Sequence, residues 1–281
     1  MELSKTIAEK RDQLLGMISS YGSCAVAFSG GVDSAVVAKA AQIAIGDSAV
    51  LVTGTSAAMA EGELEGAREL AALIGIRHVV IPTEEFANPN YVANAPDRCY
   101  HCKTELYTQI GGLAERLGVR VIVNGANVDD RGDYRPGMRA ANEHDVRSPL
   151  AECGITKQEV RELAANWNLP VADKPATPCL SSRVAYGQEV TPERLVMIDR
   201  AEQYLRSLGF RELRVRYHAG DMARIEVQLH EFDNLCQPET RTRIVEEFQN
   251  FGFKFVTLDL AGFRSGNLNR LISPSELRRF S

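Results

Sequence analysis

The sequence predicts an α/β fold, with a doubly wound and mostly parallel sheet, followed by a smaller α+β domain. Short apolar runs alternate with amphipathic segments up to about residue 185. A glycine-rich turn joins the first apolar run to the segment after it. Beyond residue 185, two segments alternate polar and apolar residues. A chain of 281 residues is long enough for both parts, so we predict one domain over 1–185 and a second over 186–281.

The first domain is predicted to alternate buried strands with helices. The predicted strands are 24–28, 49–52, 78–81 and 119–123, and the predicted helices are 3–20, 33–44, 62–74, 103–117 and 156–167. Thr156 and Glu159 have capping-box spacing at the start of the last helix, and Gly118 is a stop signal for the fourth. Such alternation requires crossover connections, which join parallel strands. Ligands of these sheets bind beyond the carboxyl ends of the strands.

The second domain is predicted to contain one helix and three strands. The helix is opened by Thr191-Pro192 and closed by Gly209. The candidate strands are 211–217, 223–229 and 253–260. The first two alternate polar and apolar residues and are separated by a turn signal at Gly220-Asp221, so a helix with antiparallel strands is expected.

Composition and charge narrow the class of protein. Hydrophobic residues make up 44% and charged residues 25% of the chain, which excludes disorder as the default state. A formal net charge of -5 provides no basic field for nucleic acid. The N-terminus is charged where a signal peptide is apolar, and no apolar run reaches the roughly 20 residues of a membrane span. We therefore expect a cytoplasmic protein whose 6 cysteines are free, metal-bound or catalytic.

The turn Ser29-Gly30-Gly31-Val32-Asp33-Ser34 is predicted to bind phosphate. It lies between a buried strand and a helix, where glycines let backbone N–H groups approach phosphate and the helix start adds partial positive charge. The hydroxyls of Ser29 and Ser34 can donate further hydrogen bonds. Asp33 would repel a bare phosphate, so we expect it to hold Mg²⁺. The turn lacks the ending of a Walker A loop, and a corner that needs glycine only for its geometry is the alternative.

Three cysteines have a spacing that suggests a shared ligand. Cys99 and Cys102 form a Cys-x-x-Cys pair at a predicted helix start, and Cys179 follows a proline. Three thiolates can hold a 4Fe–4S cluster and leave one iron open, which could carry a sulfur atom. The alternatives are a zinc site completed by His101 or His78, and thiol chemistry without a metal.

Several segments together resemble one enzyme family. The glycine-rich hexapeptide resembles the PP-loop of ATP pyrophosphatases such as GMP synthetase, NAD synthetase and tRNA thiolases, which have adenine nucleotide alpha hydrolase-like folds. Nearly the whole chain is similar to the LarE-type ATP-dependent sulfur transferases of nickel-pincer cofactor biosynthesis. The segments that carry this narrower resemblance are 124–130, 134–137, 148–150, 174–183, 214–218 and 223–226.

The resemblance implies attack at the α-phosphate of ATP, with release of pyrophosphate and formation of an adenylated substrate. It implies that ATP and Mg²⁺ bind at the hexapeptide, and that Thr53 and Gly125 also contact ATP. The alternative for the Thr53 turn is an ordinary loop. The implied substrate is a small molecule, a pyridinium biscarboxylic acid mononucleotide, one carboxylate of which becomes a thiocarboxylate.

The resemblance also implies two possible sources of sulfur. One branch of the family sacrifices a single catalytic cysteine, which matches Cys179 here. A second branch holds a 4Fe–4S cluster with three cysteines and passes on a sulfur that is not part of the cluster core. Because this chain has Cys99 and Cys102 as well as Cys179, it looks like the cluster branch.

Alternation along the second-domain strands predicts a substrate site. Arg214 and Arg216 are two residues apart, so they share a face and could grip a phosphate. Glu226 on the next strand and Arg183 in the cysteine segment are further candidates for substrate binding. A solvated strand face is the alternative. Glu226 and Glu202 could also bind a metal or balance the two arginines, and we favour balancing for Glu202.

Three other functions remain open from the sequence. A tRNA thiolase would share the hexapeptide and the cysteines but needs a basic surface. An ammonia-using synthetase needs no clustered cysteines, and a regulatory nucleotide-binding protein would not need Asp33 and Ser34. We expect a homo-oligomer without nucleic-acid or membrane partners, and the physiological sulfur donor is not identified by the sequence.

Overall fold

Four parallel strands form the larger sheet, in the spatial order β3-β2-β1-β4. The computed structural model describes residues 3–132, 136–175, 177–264 and 267–268. The strands are β1 (Cys24–Ala27), β2 (Ala49–Thr55), β3 (Arg77–Pro82) and β4 (Val121–Val123). Ala25 of β1 pairs with Val50 on one side and Ile122 on the other, which makes β1 a central strand. The predicted parallel sheet is confirmed.

Helices cover both faces of this sheet. They are α1 (Lys5–Tyr21), α2 (Val32–Ile45), α3 (Glu63–Ile74), α4 (Pro89–Val92), α5 (Arg98–Leu117), α6 (Pro136–Glu143), α7 (Pro149–Glu152) and α8 (Lys157–Asn166). Successive side chains of β1 point to opposite faces. Cys24 and Val26 join the core that contains α1, α2, α3 and α8, whereas Ala25 joins the core that contains Ile110 of α5. The fold is therefore doubly wound, as predicted.

Two helix ends follow the capping signals in the sequence. The Thr156 side chain accepts a hydrogen bond from the backbone of Glu159, and the Glu159 side chain accepts one from the backbone of Thr156, which confirms the capping box at α8. Gly118 ends α5 in the left-handed conformation, with φ of 71°.

The prediction for the start of α5 was wrong, and the error concerns the cysteines. The helix begins at Arg98 rather than at Lys103, so Cys99 and Cys102 lie inside its first turns. The segment before Lys103 has no apolar stripe that would have marked it as helical. The buried side chains of Tyr107 and Ile110, further along the chain, stabilise the helix, and the helix continues from there towards its N-terminus as far as Arg98.

The smaller sheet contains three strands in the order β5-β6-β7. Its elements are α9 (Pro192–Ser207), β5 (Leu213–His218), β6 (Met222–Val227), α10 (Phe232–Leu235), α11 (Pro238–Asn250) and β7 (Phe255–Leu258). The strands β5 and β6 are antiparallel, as expected, but β7 runs parallel to β6. A purely antiparallel arrangement was therefore the wrong expectation, because α11 forms a crossover between β6 and β7.

The helix α11 was not predicted because it is mostly polar. Within it only Ile244 and Phe248 are buried, too few to give a clear helical stripe. The short helices α4, α6, α7 and α10 were also missed, since three of them are single turns and all four follow loops.

A second hydrophobic core lies beneath the smaller sheet. It combines Leu195 of α9, Val215 of β5 and Phe248 of α11 with Tyr91 and Leu180, which precede residue 185. Core contacts thus cross the predicted boundary, and the division at 185 stays a prediction. No helix among the described residues is both long enough and apolar enough to cross a membrane.

Candidate active site

The glycine-rich turn lies at the carboxyl end of β1 and is held by its own serines. The backbone N–H of Ser29 donates to Ser34 Oγ at 3.3 Å, and that of Gly31 donates to Ser29 Oγ at 3.4 Å. Gly30 has φ of 70°, and a Cβ there would lie 3.3 Å from the Cα of Ala67. Glycine is thus required by backbone conformation and by close approach to α3. The turn ends at the start of α2, where unpaired N–H groups can receive an anion.

Gly125 packs directly against this turn. A Cβ at Gly125 would lie 2.7 Å from the backbone N of Ser34 and 2.9 Å from the carbonyl carbon of Asp33. Both atoms are main-chain atoms, so a side chain could be accommodated only by moving the start of α2. The absence of a side chain at Gly125 therefore lets the segment after β4 pack against the predicted phosphate site.

Asp33 is the acidic group of this corner, and both of its carboxylate oxygens have partners. Asn127 Nδ2 donates to Oδ1 at 3.1 Å, and Lys157 Nζ lies 2.5 Å from Oδ2. The Asp33 side chain keeps 27% of its surface exposed, so an ion can still reach it. Asn127 lies in the 124–130 segment, but Lys157 was missed, because its place beside Asp33 arises from α8 packing across α2.

Thr53 lies at the end of β2 and is buried. Its Oγ1 donates to the carbonyl of Phe28 at 2.8 Å and lies 2.8 Å from His78 Nε2. Since the threonine proton goes to Phe28, His78 serves as the donor in the second contact. Thr53 thus connects Phe28, just after β1, with His78 of β3, and its contact with adenosine stays a prediction.

The three cysteines come from two segments of the chain. Cys99 and Cys102 lie one turn apart on α5, and Cys179 lies on the loop that precedes a 3-10 turn at Leu180–Arg183. Cys99 and Cys179 are exposed. Burial is the main reason that the pKa of Cys102 is raised to about 12; Lys103 lowers this pKa, whereas the thiols of Cys179 and Cys99 add to the rise. Cys102 is therefore a neighbour of both other cysteines.

The arrangement does not favour a single-ion site. Within 3–132, 136–175, 177–264 and 267–268, no three His, Cys, Asp or Glu side chains are grouped to hold one metal ion. A zinc site with His101 or His78 thus has no preformed geometry; His101 instead faces Asp97 at 3.5 Å. Which group the three thiols hold stays a prediction.

Arg183 is buried and holds the Cys179 loop. Its guanidinium contacts Glu202 through Nε at 3.0 Å and Nη2 at 3.1 Å, with both side chains at most 1% exposed. Its Nη1 donates to the carbonyl oxygens of Pro178 and of Cys179, the latter at 2.9 Å. Glu202 also contacts Arg206, so its ion pairs are with Arg183 and Arg206, and its role in balancing Arg214 and Arg216 stays a prediction. A substrate-binding role for Arg183 stays a prediction, and its guanidinium is already fully bonded.

Arg214 and Arg216 share one face of β5, as their spacing predicted. Arg216 forms a buried ion pair with Glu226 at 2.9 Å and donates to the carbonyl of Ser182 at 3.0 Å. Burial and, after it, the neighbouring charge of Arg183 lower the pKa of Arg214 to about 10. Positive charge is thus concentrated beside the Cys179 loop. Their contact with a substrate stays a prediction, and Tyr134 and Arg135 of the resembling segments lie outside the described residues.

A parallel sheet with this glycine-rich corner at its carboxyl edge defines an ATP-using enzyme of the PP-loop class. No family model matches the chain. An uncharacterized Synechocystis protein is 46% identical over 95% of this chain and 99% of its own length. The pyridinium-3,5-bisthiocarboxylic acid mononucleotide synthase of Lactiplantibacillus plantarum is 34% identical over 98% of this chain and 99% of its own length.

The chain therefore belongs to the LarE family of ATP-dependent sulfur transferases. The tRNA-specific 2-thiouridylase MnmA of Azorhizobium caulinodans is 33% identical, but the match covers only 53% of this chain and 48% of that enzyme. Similarity to this tRNA thiolase thus extends over about half of each chain. The predicted family membership and enzyme class are confirmed.

Proposed function

We propose that this protein adenylates a carboxylate of a pyridinium biscarboxylic acid mononucleotide and converts it to a thiocarboxylate for nickel-pincer cofactor biosynthesis. The observation that carries the proposal is the joint presence of the Asp33 corner and the three neighbouring thiols of Cys99, Cys102 and Cys179. The corner supplies the means to activate an oxygen, and the thiols supply a site for sulfur. Full-length similarity to the synthase from Lactiplantibacillus plantarum supports this substrate class.

Activation is the task of the glycine-rich turn. Backbone N–H groups at the start of α2 would bind ATP phosphates, and Asp33 would hold Mg²⁺ against them. Lys157 and Asn127 keep the Asp33 carboxylate in place before the ion arrives. Lys157 would then turn from Asp33 to a phosphate oxygen, since Mg²⁺ takes over its carboxylate. The substrate carboxylate attacks the α-phosphate, so the products of this half are pyrophosphate and an acyl-adenylate.

The thiol site is proposed to hold a 4Fe–4S cluster through Cys99, Cys102 and Cys179. The donor set fits, because three thiolates leave the fourth iron without a protein ligand. Such a cluster would supply a sulfur atom for transfer to the activated carboxyl carbon. The Cys179 loop is fixed by Arg183, which also keeps Glu202 beside it. Release of AMP from the acyl-adenylate completes the exchange of oxygen for sulfur.

The substrate phosphate is proposed to bind at Arg214, with Arg216, Arg183 and Glu226 supporting it. Burial and neighbouring arginines disfavour the charged form of Arg214. A phosphate dianion beside Arg214 would relieve that repulsion and form charge-assisted hydrogen bonds. Arg214 would thus bind the substrate through its phosphate, which does not take part in the reaction.

The direct test uses anaerobic protein reconstituted with iron and sulfide, with ATP, Mg²⁺ and the dicarboxylate mononucleotide. We expect AMP and pyrophosphate, with a product heavier by the replacement of oxygen with sulfur. ADP as the main nucleotide product would overturn activation at the α-phosphate. Parallel mass spectrometry of Cys179 separates the two sulfur sources: an intact cysteine after turnover supports the cluster, and loss of its sulfur supports sacrifice.

Transfer RNA serves as the control substrate in the same assay. The partial match to the 2-thiouridylase MnmA provides the reason to include it. We expect no sulfur in the RNA, because the net charge of -5 provides little attraction to a polyanion. Thiolated RNA with an unmodified mononucleotide would replace the proposed substrate.

A further inference from the structure

Arg98 is a buried cation beside the thiol site. It is the first residue of α5 and is 5% exposed. Its Nη1 donates to Asn94 Oδ1 and to the carbonyl oxygen of Ser181, the latter at 2.8 Å. Within the part of the chain that the structure describes, Arg98 makes no ion pair with an aspartate or glutamate.

The other fully buried arginines behave differently. Arg183 is paired with Glu202, and Arg216 is paired with Glu226. Burying a cation without a counter-charge is costly, so buried arginines are normally matched by carboxylates. Among the described residues, a counter-charge for Arg98 must therefore come from a group other than aspartate or glutamate.

The acidic groups nearest to Arg98 point to that source. Burial lowers the pKa of Arg98, but the thiols of Cys99 and Cys179 and the phenols of Tyr91 and Tyr186 raise it by more. Tyr91 is itself buried, and burial raises its pKa far above the usual range, so its phenol stays neutral. Burial likewise raises the pKa of Tyr186. The cysteines are thus the groups among these four that can supply negative charge, once they bind metal as thiolates.

Arg98 also belongs to a set of bonds that fixes the Cys179 loop to α5. Asn94 Nδ2 donates to the carbonyl oxygens of Val184 and Ala185, the latter at 2.9 Å. The Tyr91 hydroxyl lies 2.7 Å from Ser181 Oγ. Arg98 adds the bond to the Ser181 carbonyl, two residues from Cys179, while it is itself next to Cys99 in the chain.

We propose that Arg98 is a positioning residue of the thiol site, which fixes the Cys179 loop to the start of α5 and balances the negative charge that the three cysteines acquire with iron and sulfide. The charge-balancing part rests on the proposed function, because it takes Cys99, Cys102 and Cys179 as cluster ligands. The loop-fixing part requires no metal.

The charge is tested by substitution and a redox measurement. Wild type, Arg98→Gln, Arg98→Lys and Arg161→Gln are reconstituted anaerobically with ferrous iron and sulfide, and the cluster's midpoint potential is measured. Arg161 is the matched control, because it also donates to backbone carbonyls, those of Ala172 and Lys174, which lie five or more residues before Cys179 in the same connection. Arg98→Gln should shift the potential to more negative values, since a nearby cation stabilises the reduced cluster. Arg98→Lys and Arg161→Gln should keep the wild-type potential.

A second measurement on the loaded protein is the release of iron to a ferrous chelator. Arg98→Gln should release iron about tenfold faster than wild type, the effect expected for the loss of one charge-assisted interaction. Equal potentials and equal release rates in wild type and Arg98→Gln would overturn the charge-balancing role. A wild type that binds no iron would instead overturn the cluster of the proposed function.

Hydrogen exchange of the metal-free proteins tests the loop-fixing role independently. Backbone amides of residues 182–188 should exchange faster in Arg98→Gln than in wild type or Arg161→Gln. Arg98→Lys decides the matter if Arg98→Gln does not fold, since lysine keeps the charge but its ammonium ends one bond short of the position of Arg98 Nη1, from which Asn94 and Ser181 receive their bonds. Arg98→Lys should keep the wild-type midpoint potential, but the amides of its loop should lose their protection from exchange. Wild-type protection in Arg98→Lys would overturn the loop-fixing role. A midpoint potential in Arg98→Lys that differs from wild type would overturn the charge-balancing role.

Discussion

The phosphate corner and the thiol site differ in how the chain builds them. The corner is a continuous hexapeptide whose shape is set by the main chain, through Gly30 and the serine bonds of Ser29 and Ser34. The thiol site joins segments far apart in sequence. The Arg98–Ser181 bond alone spans 83 residues.

The geometry of the corner thus depends on local backbone conformation, whereas the geometry of the thiol site depends on tertiary contacts. Close main-chain contacts make the corner sensitive to added volume, whereas buried polar side chains make the thiol loop sensitive to lost bonds. The two regions also divide the reaction, with oxygen activation at the corner and sulfur supply at the thiols. Substitutions at the thiol site should therefore leave oxygen activation measurable, whereas substitutions at the corner also stop sulfur transfer, which uses the acyl-adenylate.

Asp33→Ala should have the largest effect and should be confined to the corner. Pyrophosphate release should fall by more than about a hundredfold, because a Mg²⁺ ligand is lost. The side chain is partly exposed, so no core volume is removed and the melting temperature should change little. Release of pyrophosphate with ATP and the mononucleotide is the measurement. Near-normal release would mean that Asp33 does not hold the ion.

Gly125→Ala should damage the same corner by volume alone. Its Cβ would lie 2.7 Å from the backbone N of Ser34, so the start of α2 must move. A displacement of about 1 Å at reacting groups can reduce the rate by roughly a hundredfold. Gly66→Ala in α3 is the matched control, because a Cβ there meets nothing within 4 Å. Equal pyrophosphate release in both variants would contradict the close contact.

Arg183→Met should show that the thiol loop depends on buried bonds. Removing one partner of a buried ion pair leaves Glu202 without its main counter-charge, at a cost of about 3–5 kcal/mol. Denaturant unfolding measures the free energy directly. Arg200→Met, an exposed position on α9, should change it by less than about 0.5 kcal/mol. Similar losses in both variants would show that the Arg183–Glu202 pair contributes little.

Arg214→Ala should have a smaller effect, limited to the mononucleotide. Loss of one charge-assisted bond to phosphate, about 1.5–3 kcal/mol, raises the dissociation constant roughly tenfold to a hundredfold. Calorimetric titrations with the mononucleotide and with ATP separate the two ligands, and the exposed Arg211→Ala is the control. If affinity for ATP falls as much as affinity for the mononucleotide, Arg214 serves the nucleotide or the fold.

The two regions also differ in how far the sequence predicted them. The hexapeptide, the parallel sheet and the shared face of Arg214 and Arg216 follow from local patterns, because spacing along a strand or turn determines them. The position of Lys157 beside Asp33 and the bonds of Arg98 to the Cys179 loop arise only when distant elements pack together. Neither contact leaves a periodic signal in the chain.

The helix α5 shows the same limit in secondary structure. Its first turns carry the cysteines but few buried side chains, so the apolar pattern began too late to mark Arg98 as the first residue. The mostly polar α11 was missed for the same reason, and with it the parallel pairing of β7. The secondary structure of functional and surface segments is not predicted from the apolar pattern where few of their residues are buried.

The central claim is that oxygen activation and sulfur supply are separate tasks of separate regions. Alanine variants of Cys99, Cys102 and Cys179 test it most directly when pyrophosphate and thiocarboxylate product are measured in the same anaerobic reaction. The account predicts that each variant releases pyrophosphate as wild type does but forms no thiocarboxylate. Normal thiocarboxylate formation by Cys99→Ala and Cys102→Ala would contradict a shared three-cysteine site, and loss of pyrophosphate release would contradict the separation of the two tasks.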